Sequence, residues 1–324
     1  MGLDITSINP KHIRIFGNKS GMLNEGNSEI DDLLELSISV IGESDGSFDQ
    51  DDMILFYGES PDTWYYNDDK FLHTKNIYTD QTYYFICFNQ GEGKRIENIE
   101  TNLDITGDII TSYDSYFFHE EDIINLANTG RQWFGESFSY DSYQEFTIPI
   151  NNWHVDTLLL NTRLIARSSN TTSFTISNGP NSVGSVTISP IQTNGGNYMA
   201  SVLEQEFYPN SMSSSIGFNY NNNGNTSSES WLDYFTLQGR ASLIYNNSGQ
   251  LLFRDTRTVG LEATTFGISS SFSDISTWDV TDPINVKEIT LNKNNQLFYF
   301  TVPTMSLKEF MVFHDPIQDA IMPQ

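Results

Sequence analysis

The amino-acid sequence predicts a mainly β protein, in which an N-terminal β-rich domain with one helix is followed by a β-sandwich domain. Aromatic residues make up 13% of the chain, with 16 Tyr and 22 Phe. β-Branched and aromatic residues occur in short runs that are separated by clusters of Gly, Asn and Asp. Such runs favour strands, and such clusters favour the turns between them. A hydrophobic content of 38% in 324 residues is enough to build two packed cores.

The first domain is predicted over residues 1–145. Its expected strands are the runs "HIRIFG", "LSISVIG", "DMILFYG" and "TYYFICF". The stretch "FFHEEDIINLANTGRQWFGE" differs, because it has acids at its start, apolar residues at helical spacing and Gly130 where a C-cap belongs. We therefore expect a helix near residues 120–129.

The second domain is predicted over residues 146–316 as a β-sandwich, either immunoglobulin-like or jelly-roll-like. About ten short strand-like runs with turn signals between them favour this architecture. The polar tract "NYNNNGNTSSES", Asn219 to Ser230, is interpreted as a long loop within the sandwich. We place the domain boundary near Asp141 to Glu145 and interpret residues 317–324 as a linker towards a catalytic domain beyond this chain.

The charge balance excludes several classes of partner. The chain has 42 acidic and 16 basic residues, which give a formal net charge of -26. Such a chain repels phosphate backbones and anionic lipid surfaces, so nucleic acid is not an expected partner.

No apolar run approaches the ~20 residues that a membrane-spanning helix needs, so no transmembrane segment is expected. A secretion signal is also not recognisable at the start of the sequence.

No catalytic residue can be assigned from the sequence. The single cysteine, Cys87, lies in "YYFICFN", where its aromatic neighbours favour a strand position in a core. The histidines are scattered singly, and "HEEDI" at His119 lacks the second histidine of a zincin motif. Pairs of carboxylates could support glycoside hydrolysis, but a chain with 42 acids contains such pairs by chance.

The stretch "GESDGSFDQDD" is the candidate metal site. Asp45, Gly46, Asp49 and Asp52 match the second half of an EF-hand-type calcium loop. The first half does not match, because Ile41 occupies the leading ligand position and a strand-like run follows the loop. We therefore keep two hypotheses: Asp45, Asp49 and Asp52 bind calcium with help from a neighbouring loop, or the stretch is an acidic turn. No cofactor is required by either hypothesis.

The aromatic string "DTWYYND" is a candidate carbohydrate contact. The rings of Trp64, Tyr65 and Tyr66 could stack on sugar rings, or they could pack against one edge of a strand. The sequence does not decide between these two roles.

Seven short sequence segments, taken in their order along the chain, resemble a known family. They are "IRIFGNKSGML", "SDGSFDQDDMILFYGESPDTW", "TYYFICF", "HEEDIINLANTGRQWFGESF", "WLDYFTLQGR", "LLFRD" and "WDVTDP", and they extend from Ile13 to Pro283. This order resembles the region upstream of the catalytic domain in the gingipain-like cysteine peptidases that serve as sortases of the type IX secretion system in Bacteroidota. Each block is weak alone, and the order of all of them is more specific.

The resemblance implies a non-catalytic scaffold or docking region of a longer secreted protein. Members of the family cleave the C-terminal signal from secreted cargo and attach the cargo to the cell surface. The implied partners are the catalytic domain of the same parent chain, an outer-membrane barrel of the secretion system and cargo C-terminal signal domains. The implied location is the outer face of the outer membrane. No position matches the catalytic motif of the family, so no catalytic role is transferred to Cys87.

Two other functions stay open at this point. The first is a free-standing cell-surface carbohydrate-binding or adhesin module built on the same sandwich. The second is a hydrolase that uses an acidic pair. A parent gene that encodes a Cys and His pair after this region would favour the sortase interpretation over both.

Overall fold

The computed structural model describes residues 8–18, 20–22, 26, 32–88, 90–101, 107–126, 128, 130, 132–150, 152–154, 157–191, 199–247 and 249–315. The predicted linker over residues 317–324 lies outside these ranges. Strands dominate the described part, which confirms the prediction of a mainly β fold. The helical elements described are short 3-10 turns at Pro10–His12, Glu43–Asp45 and Thr256–Thr258.

The strands are numbered in chain order. The first nine are β1 Arg14–Gly17, β2 Leu34–Leu36, β3 Ile38–Ile41, β4 Met53–Phe56, β5 Thr63–Asn67, β6 Lys70–Thr74, β7 Tyr84–Cys87, β8 Glu97–Ile99 and β9 Ser112–Glu120. The next seven are β10 Tyr143–Thr147, β11 Leu159–Arg167, β12 Thr172–Asn178, β13 Asn181–Ile188, β14 Ser201–Phe207, β15 Ser215–Asn221 and β16 Glu229–Ser242. The last seven are β17 Leu251–Arg254, β18 Leu261–Ser269, β19 Ser276–Asp279, β20 Lys287–Ile289, β21 Asn292–Asn294, β22 Leu297–Thr304 and β23 Glu309–Phe313.

The chain forms two compact units that do not follow the predicted boundary near residue 145. The first unit consists of residues 1–64, 74–113 and 243–324, and the second consists of residues 65–73 and 114–242. The polypeptide therefore passes between the units four times. The local pattern of residues cannot predict this division. The N-terminal and C-terminal strands of the first unit are separated in the sequence by more than a hundred residues of the second unit.

The second unit is the β-sandwich. One sheet has the strand order β10-β15-β12-β13 and the other has the order β14-β11-β16-β9. Side chains alternate along β12, so that Phe174 and Ile176 point inwards and are fully buried. Phe218 of β15 meets Phe235 of β16 with ring centroids 5.6 Å apart, within one aromatic and aliphatic core. The predicted sandwich is thus present, but over residues 114–242 rather than 146–316.

The first unit combines strands from both ends of the sequence. Its largest sheet has the order β17-β23-β19-β20-β8, in which β8 runs parallel to β20. The Ser37 amide donates to the Ile284 carbonyl at 3.0 Å. Phe253, Phe266 and Phe310 are fully buried and pack on one another, with ring centroids 5.1 to 5.7 Å apart. Because of this long-range pairing, strands from both ends of the sequence belong to one unit.

The predicted helix near residues 120–129 is wrong where the structure describes it. Glu120 ends strand β9, and the Ile124 amide donates to the Phe134 carbonyl at 2.9 Å. The Phe134 amide donates back to the Ile124 carbonyl at 2.8 Å, which is an antiparallel bridge. Asn128 and Gly130 have φ values of 52° and 74°, as expected of a turn. Ile123 is 62% exposed, whereas Ile124 and Leu126 pack on the cluster that contains Phe134, so these apolar residues serve an irregular segment and not a helix.

No helix among the described residues is long and apolar enough to cross a membrane.

Candidate functional site

The acidic loop of residues 42–52 is a compact turn between β3 and β4. Asp45 Oδ1 accepts a hydrogen bond from the Ser47 amide at 2.9 Å. Asp49 Oδ1 accepts from the Asp51 amide at 3.1 Å, and Asp52 Oδ2 accepts from the Asp49 amide at 3.0 Å. Each of the three predicted ligands therefore stabilises the loop backbone by accepting from an amide.

Glycine shapes the start of this loop. Gly42 has a φ of 96°, a conformation that other residues adopt with strain. A Cβ at position 42 would lie 1.6 Å from Asp52 Oδ1, so the carboxylate occupies the space that a side chain would need. Glu43, the first acid of the stretch "GESDGSFDQDD", is paired with Arg95 Nε at 2.9 Å.

No group of three or more His, Cys, Asp or Glu side chains that could hold a metal ion is present in the part of the chain that the structure describes. Asp45, Asp49 and Asp52 belong to that part, and their bonds to amides match the acidic-turn hypothesis. Calcium binding by these three residues stays a prediction, which a melting experiment addresses.

The aromatic string divides between different contacts. The Arg254 guanidinium lies over the Trp64 ring at 4.1 Å from its centroid, in cation–π geometry. Tyr66 packs on Phe71 with ring centroids 4.9 Å apart. Tyr65 is 52% exposed. One face of the Trp64 ring is therefore covered by a cation within the first unit.

The tip of the β5-β6 hairpin, residues 65–73, belongs to the sandwich unit. The Phe71 amide donates to Gln238 Oε1 at 2.8 Å, and Gln238 Nε2 donates to the Phe71 carbonyl at 3.2 Å. Lys70 forms an ion pair with Glu206 of β14. Phe71 is 5% exposed and packs on Tyr116 of β9. The hairpin tip thus covers the outer face of the sheet that contains β9 and β16.

His73, at the end of the hairpin tip, joins a cluster of aromatic and charged groups. Its ring stacks on Phe118 with centroids 4.7 Å apart and meets the edge of Tyr234 at 5.1 Å. His73 Nε2 contacts Glu120 Oε2. No local pattern in the sequence indicates this pair, because 47 residues separate the two side chains.

A buried carboxylate lies in the same cluster. Burial raises the pKa of Asp233 to about 6, while the ion pair with Arg163 acts in the opposite direction and Glu120 adds to the increase. Burial also raises the pKa of Tyr234, whose hydroxyl donates to Glu204 at 3.0 Å. Perturbed carboxylates are frequent at functional sites, but ion-pair networks that hold two elements together produce them as well. The contacts of this cluster to the hairpin tip favour the second role.

Cys87 lies on β7 and is half-buried rather than enclosed in a core. The reason is topological, since β7 is an edge strand of the sheet β2-β1-β7. Its partner across the ladder is Arg14 of β1. Within the described ranges, no hydrogen bond joins Cys87 to a histidine. Four histidine side chains instead form hydrogen bonds with the side chains of Glu120, Glu136 and Ser242 and with the Asp274 carbonyl.

These features define the class of the molecule as a mainly β chain of two units, one of them a two-sheet sandwich. A crystal structure of dimeric latent PorU from Porphyromonas gingivalis is similar, with a TM-score of 0.75 and 20% sequence identity. The similarity covers 96% of this chain and 30% of the PorU chain. No protein-family model matches the sequence, and the search of curated proteins gave no significant match. The expected resemblance to a gingipain-like sortase is therefore confirmed at the level of the fold.

Proposed function

We propose that this chain is a non-catalytic scaffold and docking region of a type IX secretion sortase. The observation that supports the proposal is the similarity of fold to PorU over 96% of this chain, which corresponds to only 30% of the PorU chain. A region of that size, without a described pair of nucleophile and base, suits the positioning of another domain. Similarity of fold alone does not show that two proteins share a catalytic activity.

The proposed partners are those that the family resemblance implies. The first is a gingipain-like catalytic domain of the same parent chain, which this region braces. The others are an outer-membrane barrel of the secretion system and the C-terminal signal domains of cargo. The proposed location is the outer face of the outer membrane, where a net charge of -26 keeps an exposed domain soluble.

Binding between the purified chain and the catalytic domain of its parent protein tests the proposal. The parent gene should encode a Cys and His pair outside residues 1–324. Calorimetry should then detect a complex in trans, and the chain should raise the melting temperature of the catalytic domain by mass action. A parent gene that encodes no such domain would contradict the proposal. A catalytic domain that does not bind the chain would contradict it as well.

A peptidase assay tests the non-catalytic part separately. The chain alone should not cleave peptides that carry a cargo C-terminal signal. Cys87→Ala is the control variant, because it removes the single thiol of the chain. Turnover that the variant abolishes would assign a catalytic role to Cys87.

A further inference from the structure

We propose that the outer face of the sheet β10-β15-β12-β13 carries a binding groove for a neutral saccharide. The groove has a volume of about 500 Å³ and lies wholly within the sandwich unit. Its lining consists of Ser, Thr, Asn, Tyr and Phe residues, and none of them is charged. This proposal does not rest on the proposed scaffold function, and none of the lining residues belongs to the aromatic string at Trp64.

The floor of the groove is a lattice of polar side chains that point away from the core. Thr175 of β12 lies opposite Asn219 of β15, and Ser173 lies opposite Asn221 on the same two strands. Phe174 lies between Ser173 and Thr175, Tyr220 lies between Asn219 and Asn221, and both rings are buried in the core. Because side chains alternate along a strand, the four polar side chains project outwards. The tract that is predicted as a loop from Asn219 onwards therefore starts as a strand, and this strand fixes the spacing of the two amides.

These polar groups are available to a ligand. No hydrogen bond to the side chains of Ser173, Thr175 or Asn219 occurs within the described structure, whereas Asn221 Oδ1 accepts from the Asn223 amide at 2.9 Å. Asn and Thr side chains offer donors and acceptors together, which is what the hydroxyl groups of a sugar require.

Two tyrosines supply apolar surface at and beside the groove. Tyr140 lines it and projects completely into solvent, with a relative exposure of 103%. Tyr143, opposite Asn219 in the ladder, lies across Gly217 and is 44% exposed. A Cβ at Gly217 would lie only 2.6 Å from the Tyr143 hydroxyl oxygen and 2.6 Å from Ser177 Oγ, so the missing side chain lets the ring lie on the sheet. Aromatic rings beside amides and hydroxyls suit the C–H faces and the O–H groups of a sugar.

The charge pattern selects a neutral ligand. Asp141 and Glu145 lie close to Tyr143 in the sequence, and neither lines the groove. Asp141 Oδ1 accepts from the Tyr143 amide at 3.2 Å, and Glu145 Oε1 accepts from Ser215 Oγ at 2.7 Å. An anionic ligand would be repelled by the net charge of -26, and no cation in the lining would offset that repulsion.

The test measures binding of neutral oligosaccharides to the full chain. The probes are cellohexaose, laminarihexaose, xylohexaose and mannohexaose, with polygalacturonate as the anionic comparison. Saturation-transfer NMR at ligand concentrations up to about 10 mM, a range that detects even weak complexes, should reveal binding of at least one neutral probe. No binding of polygalacturonate is expected.

Variants place the site and keep the proposal falsifiable. Asn219→Ala and Thr175→Ala should each weaken binding of the neutral probe by roughly 2- to 10-fold, the effect of losing one ligand hydrogen bond. Thr187→Ala is the matched control, because Thr187 is an exposed residue of the neighbouring strand β13 that does not line the groove. Melting curves of all three variants should superimpose on wild type, since none of these side chains is buried.

Three outcomes would overturn the proposal. In the first, no neutral probe binds, and in the second, only polygalacturonate binds. In the third, Asn219→Ala and Thr175→Ala bind the neutral probe as strongly as the control variant Thr187→Ala does. None of these outcomes bears on the complex with a catalytic domain, so the two proposals fail separately.

Discussion

The side-chain amide of Gln238 pairs with the backbone of Phe71 in both directions, as acceptor from its amide and donor to its carbonyl. The pairing spans 167 positions in the sequence and lies in a buried setting. Gln238 thereby satisfies two backbone groups that water does not reach, and this relationship fixes the hairpin tip on the outer face of the sandwich.

Gln238→Ala should lower the free energy of unfolding by about 1–3 kcal/mol, because two buried backbone groups lose their partner. In a domain of this size that corresponds to a melting temperature lower by roughly 2 to 4 °C per kcal/mol. Gln81→Ala is the control, since Gln81 is exposed. Equal melting temperatures for the two variants would show that the hairpin tip is not held by this pairing.

Gly42→Ala should destabilise the first unit more than Gly46→Ala does. Both glycines have positive φ, 96° and 82°, so both substitutions strain the backbone by on the order of 1–2 kcal/mol. Only position 42 adds a steric conflict, because its Cβ would meet Asp52 Oδ1, whereas nothing lies within 4 Å of a Cβ at position 46. Urea unfolding of both variants measures the difference, and equal losses would contradict the close approach of Asp52 to Gly42.

The raised pKa of Asp233 predicts a defined pH dependence. The folded protein binds the proton with a pKa of about 6, and the ordinary value is 3.8. Because the folded state holds the proton more tightly, this residue adds stability as the pH falls from above 6 towards 4, and the contribution is absent at higher pH. The difference between these two pKa values corresponds to on the order of 3 kcal/mol.

Asp233→Asn should remove this dependence while preserving the shape of the side chain. The free energy of unfolding of the variant relative to wild type should increase between pH 4 and pH 8. Asp80→Asn, at a site where the side chain is 89% exposed, is the control. Parallel stability profiles for wild type and Asp233→Asn would refute the assignment of the raised pKa to this carboxyl.

Local pattern predicts the strands but not their partners. The runs around Ile15, Val40, Ile54 and Phe85 are expected as strands, and all four form them. The pairing of β8 with β20 joins residues about 190 positions apart, and no local signal specifies it. The predicted division at residue 145 fails for this reason, since unit membership is decided by such long-range ladders.

The contacts within the candidate sites also depend on long-range structure that the local sequence does not specify. The acidic stretch is recognisable in the sequence, but the role of each carboxylate depends on which amide lies nearby, as with Asp52 and the amide of Asp49. The contact of His73 with Glu120 requires the hairpin tip to cross onto the sandwich. The groove beside Asn219 is hidden because the tract of Asn and Ser has the composition of a loop, while its first three residues continue β15.

Calcium titration decides between the two hypotheses for the loop of Asp45, Asp49 and Asp52. If the loop binds calcium only when folded, saturation at about a hundred times the dissociation constant would add roughly 2.7 kcal/mol to the stability. The described bonds of all three carboxylates to amides favour the acidic turn, so we expect millimolar calcium to leave the melting temperature unchanged. A rise of several degrees that chelator reverses would instead support the calcium site.

Variants sharpen this test, because the two hypotheses predict opposite changes. At a calcium site, Asp45→Asn and Asp49→Asn would weaken the calcium-dependent rise, since each removes a charged ligand. In an acidic turn, each Asn keeps an oxygen that can accept from the Ser47 or Asp51 amide and removes one negative charge from the loop. We therefore expect both variants to melt at or slightly above the wild-type temperature, with and without calcium, and a calcium-dependent difference between variant and wild type would reverse the assignment.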